Sequence, residues 1–184
     1  MSEDIDLQKV QAACRAFPSQ FQTLHLGTVN AQGQPEASYA PFVAAAGRYH
    51  VYLSELARHT ANLRSNGRAS VLFIESEAQA KQIFARERLT LACTARECAR
   101  GTALFERALD RFEQRFGKFM QVIRPLRDFH LFELTPSSGN YVAGFAHAYA
   151  LEGADLGQLR HRDEQGHRAP DVSSGRRLRE QLPT

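Results

Sequence analysis

Short segments with the residue pattern of β-strands, separated by turn-forming residues, recur along most of the chain. In the segment 23–30, for example, Leu24 and Leu26 alternate with polar or small residues, which is the period of a strand. Segment 68–75 is apolar and β-branched enough to be a fully buried strand. The predicted strands are 23–30, 37–44, 49–54, 68–75, 88–94 and 128–135, with 140–151 as a last hairpin partner. This pattern favours an antiparallel meander.

The residues between these segments are typical of tight turns. Residues 30–35 (NAQGQP) and Ala46-Gly47-Arg48 predict hairpin turns, and residues 136–139 (PSSG) predict a third. Pro41 lies inside a predicted strand, where it indicates an edge strand or a bulge because proline has no amide hydrogen.

Four helical segments are predicted around the strands. Residues 4–17 have near-helical spacing of apolar residues, with Ile5, Val10, Ala13 and Phe17 inward. Residues 58–65 end at Asn66-Gly67, a common C-terminal cap. Residues 77–85 predict one or two helical turns with Ala78, Ala80 and Ile83 inward. Residues 99–115 predict a longer helix that Gly117 interrupts, with an inward stripe formed by Leu104, Ala108, Leu109 and Phe112.

The expected fold is therefore mostly β with α (α+β): a six-stranded antiparallel barrel with short peripheral helices. The length of 184 residues suits one compact domain, assigned to residues 1–156. Residues 157–184 differ, because they are rich in arginine and poor in apolar residues and cannot bury a core of their own. They are expected to form a polar tail.

Composition excludes several classes of protein. The formal net charge of +3 is too small to indicate nucleic-acid binding by itself. No apolar stretch approaches the roughly 20 residues of a membrane helix, and the acidic N-terminus lacks the layout of a secretory signal. Three cysteines argue against a disulfide scaffold. We therefore expect a protein of the cytoplasm, with no membrane and no nucleic-acid partner.

The residues alone leave the chemistry open, since no established catalytic motif is present. His161 and His167 in the tail are either solvated side chains or ligands of a metal or a cofactor iron, with a carboxylate fixing the imidazole tautomer. Asp128, at the start of a strand, is either that carboxylate or an ordinary strand-end residue.

Two further groups suit an anionic ligand. Arg58, His59 and Thr60 begin a predicted helix and could bind a phosphate, although a solvent-facing helix start is the plainer interpretation. Arg86 and Arg88 flank the start of a strand, where they either meet an anion or lie on the surface. Cys93 and Cys98 have the wrong spacing for a CxxC pair and are expected to be structural.

Several motifs, in order, resemble those of the HugZ/HutZ-type haem-utilisation proteins, within the pyridoxamine-5′-phosphate-oxidase-like, FMN-binding split-barrel superfamily. The motifs are SYAPFV from Ser38, LARHTANL from Leu56, AQAK from Ala78 with FARERLT from Phe84, RFG from Arg115, DFHLF from Asp128, VAGF from Val142 and QGHR from Gln165. They extend over about residues 20–168.

The resemblance implies a homodimer of split barrels with ligand sites at the subunit interface. It further implies haem binding and oxygen-dependent haem degradation with an external electron donor. On this basis His167 is the axial ligand of the haem iron, Asp128 hydrogen-bonds that histidine either within one copy or across the dimer, and Arg88 lies near the haem. Ala146 departs from the family pattern, which has a second glycine after Phe145.

Two alternatives stay open. The superfamily resemblance favours an FMN-binding oxidoreductase with the phosphate near Arg58, His59 and Thr60, although no lysine is present between Ser54 and Ser65. A non-catalytic haem carrier is the third interpretation. A zinc site or a nucleic-acid interface is weaker than these, because ligand spacing is poor and the basic charge is diffuse.

Overall fold

The computed structural model describes residues 6–145 and 147–162, with only the backbone of residue 154. The helices are α1 (Leu7–Ala16), α2 (Arg58–Asn66), α3 (Ala103–Phe116) and α4 (Phe119–Ile123). The strands are β1 (Thr23–Val29), β2 (Pro35–Ala45), β3 (Arg48–Ser54), β4 (Arg68–Ile74), β5 (Arg88–Cys98), β6 (Phe129–Gly144), β7 (His147–Glu152) and β8 (Gln158–His161). Short 3-10 turns occupy Phe17–Gln20, Ile83–Ala85 and Ala154–Leu156.

Six of the strands close into an antiparallel barrel. They follow the order β3-β2-β1-β4-β5-β6, and pairing between β6 and β3 completes the ring. Strands β7 and β8 extend the sheet from the second half of β6. The predicted six-stranded antiparallel barrel is confirmed, with two additional strands.

The predicted turn at residues 136–139 is wrong, because these residues lie inside β6. The first part of β6 pairs with β3 up to Leu134, and the last part pairs with β7 from Gly139 onward. The register with β5 shifts beside Pro136. The turn-forming residues therefore mark the place where one long strand changes partners.

Pro41 has a similar position in β2. It is the last residue that pairs with β1, and pairing with β3 begins at Phe42. Strand β2 is therefore not an edge strand, and its pairing shows no β-bulge at Pro41. The missing amide hydrogen of the proline is tolerated because the strand changes partners at this point.

The hairpin turns after β1 and β2 are confirmed. The Asn30 side chain accepts hydrogen bonds from the amides of Gln32 and Gln34 at 3.0 and 2.9 Å. After β2, Ala46 and Gly47 both have positive φ, of 48° and 73°. Two consecutive positive φ values suit the twist of a two-residue hairpin.

Three local predictions need correction. Strand β4 is not fully buried, since Arg68 and Ser70 are exposed. Residues 77–85 contain a hydrogen-bonded turn that begins at Ser76 and the 3-10 turn Ile83–Ala85, as predicted, but Ala78 and Ile83 are exposed rather than inward. In α1 the buried residue is Cys14, and Ala13 is exposed.

Helix α3 covers one outer side of the barrel. Thr102 caps its first turn by accepting a hydrogen bond from the Phe105 amide, and Gly117 ends it as predicted. Its buried stripe contains Phe105, where the sequence predicted Leu104, which is half-buried. This stripe packs on outward-facing residues of β2, β3 and β6. A second, larger core fills the barrel itself.

The part of the predicted tail that the structure describes is a strand. β8 pairs with β7, and the Arg162 amide continues the ladder by donating to the Ala148 carbonyl. The division of the chain at residue 157 stays a prediction. Within the described ranges, no helix is long and apolar enough to cross a membrane.

Candidate functional site

His59, near the start of α2, is hydrogen-bonded to β2. Its Nδ1 lies 2.9 Å from Oγ of Ser38, and the same oxygen lies 3.1 Å from the Leu26 carbonyl. Burial lowers the pKa of His59, against an opposing effect of Glu36. The ring is therefore neutral at pH 7.

The two neighbours of His59 face different surroundings. Arg58 is exposed, whereas Thr60 is buried. The Thr60 hydroxyl donates to the Ser54 carbonyl at 2.6 Å, which joins the helix start to the end of β3. Thr60 is therefore engaged inside the fold, whereas the Arg58 side chain is exposed and the His59 ring is half-buried.

Asp128 lies at the same end of the barrel. It directly precedes β6, and its carbonyl oxygen accepts a hydrogen bond from the Glu55 amide at 2.8 Å. This bond extends the β3–β6 ladder one step beyond the Ser54–Phe129 pair. The backbone of Asp128 is therefore fixed to the residue that leads from β3 into α2, and its side chain is half-buried.

Four charged or titratable side chains beside Asp128 form a network, which we call the His130 network: Glu55, Arg64, Glu97 and His130. Nε2 of His130 lies 2.6 Å from Oε1 of Glu55. Its Nδ1 lies 2.8 Å from both Oε1 of Glu97 and Nη2 of Arg64. Arg64 also forms a two-pronged contact with Glu97, at 2.9 and 3.0 Å. The network ties α2, β5 and β6 together.

The carboxylates of this network are stabilised in their charged form. Hydrogen bonds from His130 and Arg64 lower the pKa of Glu55. A hydrogen bond from Arg64 likewise lowers the pKa of Glu97 and outweighs the opposing effect of burial. Both groups are ionised at pH 7.

Arg88 lies elsewhere, at the start of β5. It pairs in register with Val142, close to the end of β6. One of its guanidinium nitrogens donates to the Arg86 carbonyl at 3.1 Å. The Arg86 side chain bonds to the Glu75 carbonyl and is directed toward the loop that follows β4.

One copy of the chain does not bring the predicted site residues together. Asp128 and the residues of the α2 start share one end of the barrel, and Arg88 lies at the other end of β6. His167 lies outside the described residues. Asp128 and Arg88 therefore do not lie side by side in the sheet.

The outer surface of β1, β2 and β4 has few large side chains. It contains a shallow depression of about 540 Å³ that is floored by small residues, including Gly27, Ala37 and Ser70. Tyr39, two residues after Ala37 on β2, is 66% exposed, and Leu56 between β3 and α2 is 92% exposed. Large exposed apolar side chains next to a smooth strand surface are typical of protein interfaces.

The structure gives the cysteines no reactive role. All three are buried and free. Burial raises the pKa of Cys14 and of Cys93 to about 12, so these thiols stay protonated at pH 7. The described ranges also hold no group of three or more histidine, cysteine, aspartate or glutamate side chains placed to bind a metal ion.

Sequence reasoning missed Ser38 as the partner of His59, and it missed the His130 network. His130 belongs to the same motif as Asp128 and follows it by two positions, a spacing that places side chains on one side of an extended chain. Its partners Glu55 and Glu97 lie on other strands or loops, and their proximity depends on barrel closure.

Comparison with known proteins agrees with this geometry. Residues 10–143 match the family model described as pyridoxamine 5′-phosphate oxidase. A protein of Vibrio cholerae named haem oxygenase HutZ is 41% identical over 167 residues, which covers 91% of this chain and 93% of HutZ. The chain belongs to the HutZ-type branch of the pyridoxamine 5′-phosphate oxidase family. The predicted resemblance is thereby confirmed.

Solved structures of the HutZ type have the same fold. A crystal structure of Vibrio cholerae HutZ, described as a haem storage protein, is 40% identical with a TM-score of 0.66 and covers 68% of this chain and 89% of its own. Campylobacter jejuni ChuZ is 29% identical with a TM-score of 0.83 and covers 93% of this chain and 69% of its own.

Proposed function

We propose that this chain is a homodimeric haem-binding protein that degrades haem with oxygen and an external reductant. The observation that carries the proposal is the 41% identity to haem oxygenase HutZ over nearly the full length of both proteins. In this proposal haem is the substrate, and its bound iron supplies the oxygen chemistry.

The proposal gives three residues distinct roles. His167 is the axial ligand of the iron through a neutral imidazole. Asp128 accepts the N–H of that imidazole, which fixes its orientation and increases its basicity as a ligand. Arg88 binds a propionate or an adjacent polar group at the edge of the haem.

The positions of Asp128 and Arg88 support the proposed dimer. The two residues lie toward opposite ends of β6, so in this proposal one haem contacts Asp128 of one copy and Arg88 of the other. The β1–β2–β4 surface, with the exposed Tyr39 on β2, is the proposed place of contact between the copies.

The residues at the end of the barrel that carries Asp128 and the start of α2 fit haem, which is flat and apolar with two carboxylates. Tyr39 and Leu56 offer exposed apolar area, and Arg58 offers an exposed cation nearby in the chain. The Glu55 amide holds the backbone of Asp128, so the orienting carboxylate of Asp128 is attached to a fixed segment of the chain.

The test is a titration of the purified protein with hemin and, separately, with FMN, followed by absorbance. His167→Ala is compared with the natural protein. The proposal predicts a saturable haem band that the variant loses or shifts, with affinity reduced about tenfold or more. Equal and weak hemin binding by both proteins would overturn the assignment of the ligand.

A second measurement separates an enzyme from a carrier. The haem complex is given ascorbate under air, and the haem band is followed with time. Degradation predicts loss of the band in the natural protein and slower loss in Asp128→Asn. A stable band would favour a haem carrier, which agrees with the description of HutZ as a storage protein.

An FMN-binding oxidoreductase is the second candidate. The family description and the exposed Arg58 at the start of α2 favour it. It predicts saturation with FMN in the same titration, with a loss of affinity in Arg58→Gln. Because Thr60 already donates its hydroxyl hydrogen to Ser54, the variant Thr60→Ser should bind FMN as the natural protein does.

A further inference from the structure

Asp128 and His130 are both held by one residue, Glu55. The Glu55 amide donates to the carbonyl of Asp128 at 2.8 Å, and its carboxylate contacts Nε2 of His130 at 2.6 Å. Because the two contacts use different atoms of Glu55, they restrain the chain on both sides of Phe129. The backbone that carries the Asp128 carboxylate is thereby fixed twice.

The second side of the His130 ring is held as well. Arg64 can only donate a hydrogen bond, so a neutral ring accepts at Nδ1 from Arg64 and donates from Nε2 to Glu55. A protonated ring donates from Nδ1 to Glu97 instead, at 2.8 Å. In both states Nε2–H donates to Glu55. The restraint on Asp128 is therefore independent of the protonation of His130.

The partners of His130 come from three different elements. Glu55 lies between β3 and α2, Arg64 lies on α2, and Glu97 lies on β5. Helix α2 also carries Arg58 and His59. Through Arg64, the same network that restrains Asp128 therefore also fixes the helix whose start lies beside it.

We propose that His130 is a positioning residue, which holds the Asp128 carboxylate in place through its contact with Glu55. The inference rests on the proposed function, in which Asp128 orients the histidine ligand of the haem. His130 itself touches no substrate in this role.

The first test uses the protein without haem. Amide hydrogen exchange of Glu55 reports the bond to Asp128 directly. His130→Ala should increase that exchange rate by roughly tenfold, and His130→Gln, whose amide can still donate to Glu55, should restore most of the protection. Asp110→Asn, which removes an exposed carboxylate from the separate ion pair with Arg124, is the control and should leave the rate unchanged. An unchanged rate in His130→Ala would overturn the proposal.

The second test is a double-mutant cycle on the haem complex. Asp128→Asn, His130→Ala and the double variant are compared by haem affinity and by the iron–histidine stretching frequency of the ferrous complex. If His130 acts through Asp128, each single variant shifts the frequency in the same direction. In the Asp128→Asn background, His130→Ala then changes haem affinity by less than about twofold.

The outcomes of the cycle separate the two proposals. Additive effects, or an effect of Asp128→Asn without one of His130→Ala, would overturn the role of His130 and leave the proposed function intact. An Asp128→Asn variant identical to the natural protein would instead overturn the role of Asp128. If His130→Ala fails to fold, Glu55→Ala tests the same contact, because it removes the carboxylate that Nε2 of His130 binds and keeps the Glu55 amide. The exchange rate at residue 55 should then rise, and an unchanged rate would overturn the proposal.

Discussion

Nε2 of His50 lies 3.4 Å from Oε2 of Glu133, although both side chains are buried, at 2% and 4% exposure. Val51 and Leu134, the next residues in each strand, point into the barrel core. Because side chains alternate along a strand, His50 and Glu133 point outward, toward α3. Glu133 also contacts Arg48 at 3.3 Å and Arg96 at 3.0 Å. This carboxylate therefore links β3, β5 and β6 where the barrel closes.

Removal of the Glu133 carboxylate should destabilise the fold. Glu133→Ala leaves His50 without its neighbour and separates two arginines from their shared partner, which we expect to reduce the free energy of unfolding by about 2 kcal/mol. Urea denaturation measures the change. Glu152→Ala, which removes an exposed pair with Arg160, is the control and should cost less than about 0.5 kcal/mol. Equal losses in the two variants would contradict the role of Glu133.

The stability of the protein should fall as the pH drops from 7 to 5. Burial lowers the pKa of His50, and the nearby charge of Glu133 only partly opposes this effect. A histidine whose pKa is lower in the folded state stabilises the fold above its unfolded pKa, and that stability is lost as the pH falls. The half-buried His59 contributes with the same sign.

Thermal unfolding at several pH values checks this expectation. His50→Gln removes one titrating group, so its melting temperature should depend less steeply on pH between 7 and 5. A steeper dependence in the variant would show that His50 is protonated in the folded state. Glu133 contributes at lower pH, because hydrogen bonds from Arg96 and Arg48 outweigh the effect of burial and lower its pKa.

Gly139 should not tolerate a side chain. A Cβ atom at this position would lie 2.8 Å from a methyl carbon of Leu91 and 3.0 Å from the Thr90 carbonyl oxygen. The backbone of β5 cannot move away without breaking the ladder, so Gly139→Ala should cost about 1–3 kcal/mol. Ser138→Ala, at the exposed neighbouring position, is the control for urea denaturation. Similar midpoints for the two variants would contradict the close approach of β5 and β6.

The exposed Leu56 should matter for association. Leu56→Asp replaces the largest exposed apolar side chain between β3 and α2 by a charge, and we expect it to weaken the proposed dimer by tenfold or more. Analytical ultracentrifugation across a range of concentrations measures the change. Val122→Asp, an exposed apolar residue on α4, is the matched control and should leave the dimer intact. A larger effect at Val122 would place the interface on the α3–α4 side.

The sequence was sufficient for the barrel because strand alternation and hairpin turns are local. A few neighbouring residues are enough to recognise the alternation of Leu24 and Leu26 and the turns at Asn30 and Gly47. The errors occur where a strand changes partners, at Pro41 and at residues 136–139. Turn-forming residues relax the pairing there without reversing the chain, and only the closed sheet distinguishes the two cases.

The candidate site was predictable only in part. The structure places Asp128 and the start of α2 at one end of the barrel, and Arg88 lies toward the other end of β6. Sequence reasoning did not find the contacts of His130, because Glu55 and Glu97 come from segments that meet only in the folded barrel. The roles of His167, Asp128 and Arg88 stay predictions.

The separation of Asp128 from Arg88 along β6 has a kinetic consequence for the proposed dimer. Each complete site requires one residue from each copy, so monomers contribute no turnover. Below the dissociation constant of the dimer, the rate of haem degradation should therefore rise with the square of the protein concentration. The rate of haem degradation would then rise more steeply than in proportion to the expression level, without a regulatory ligand.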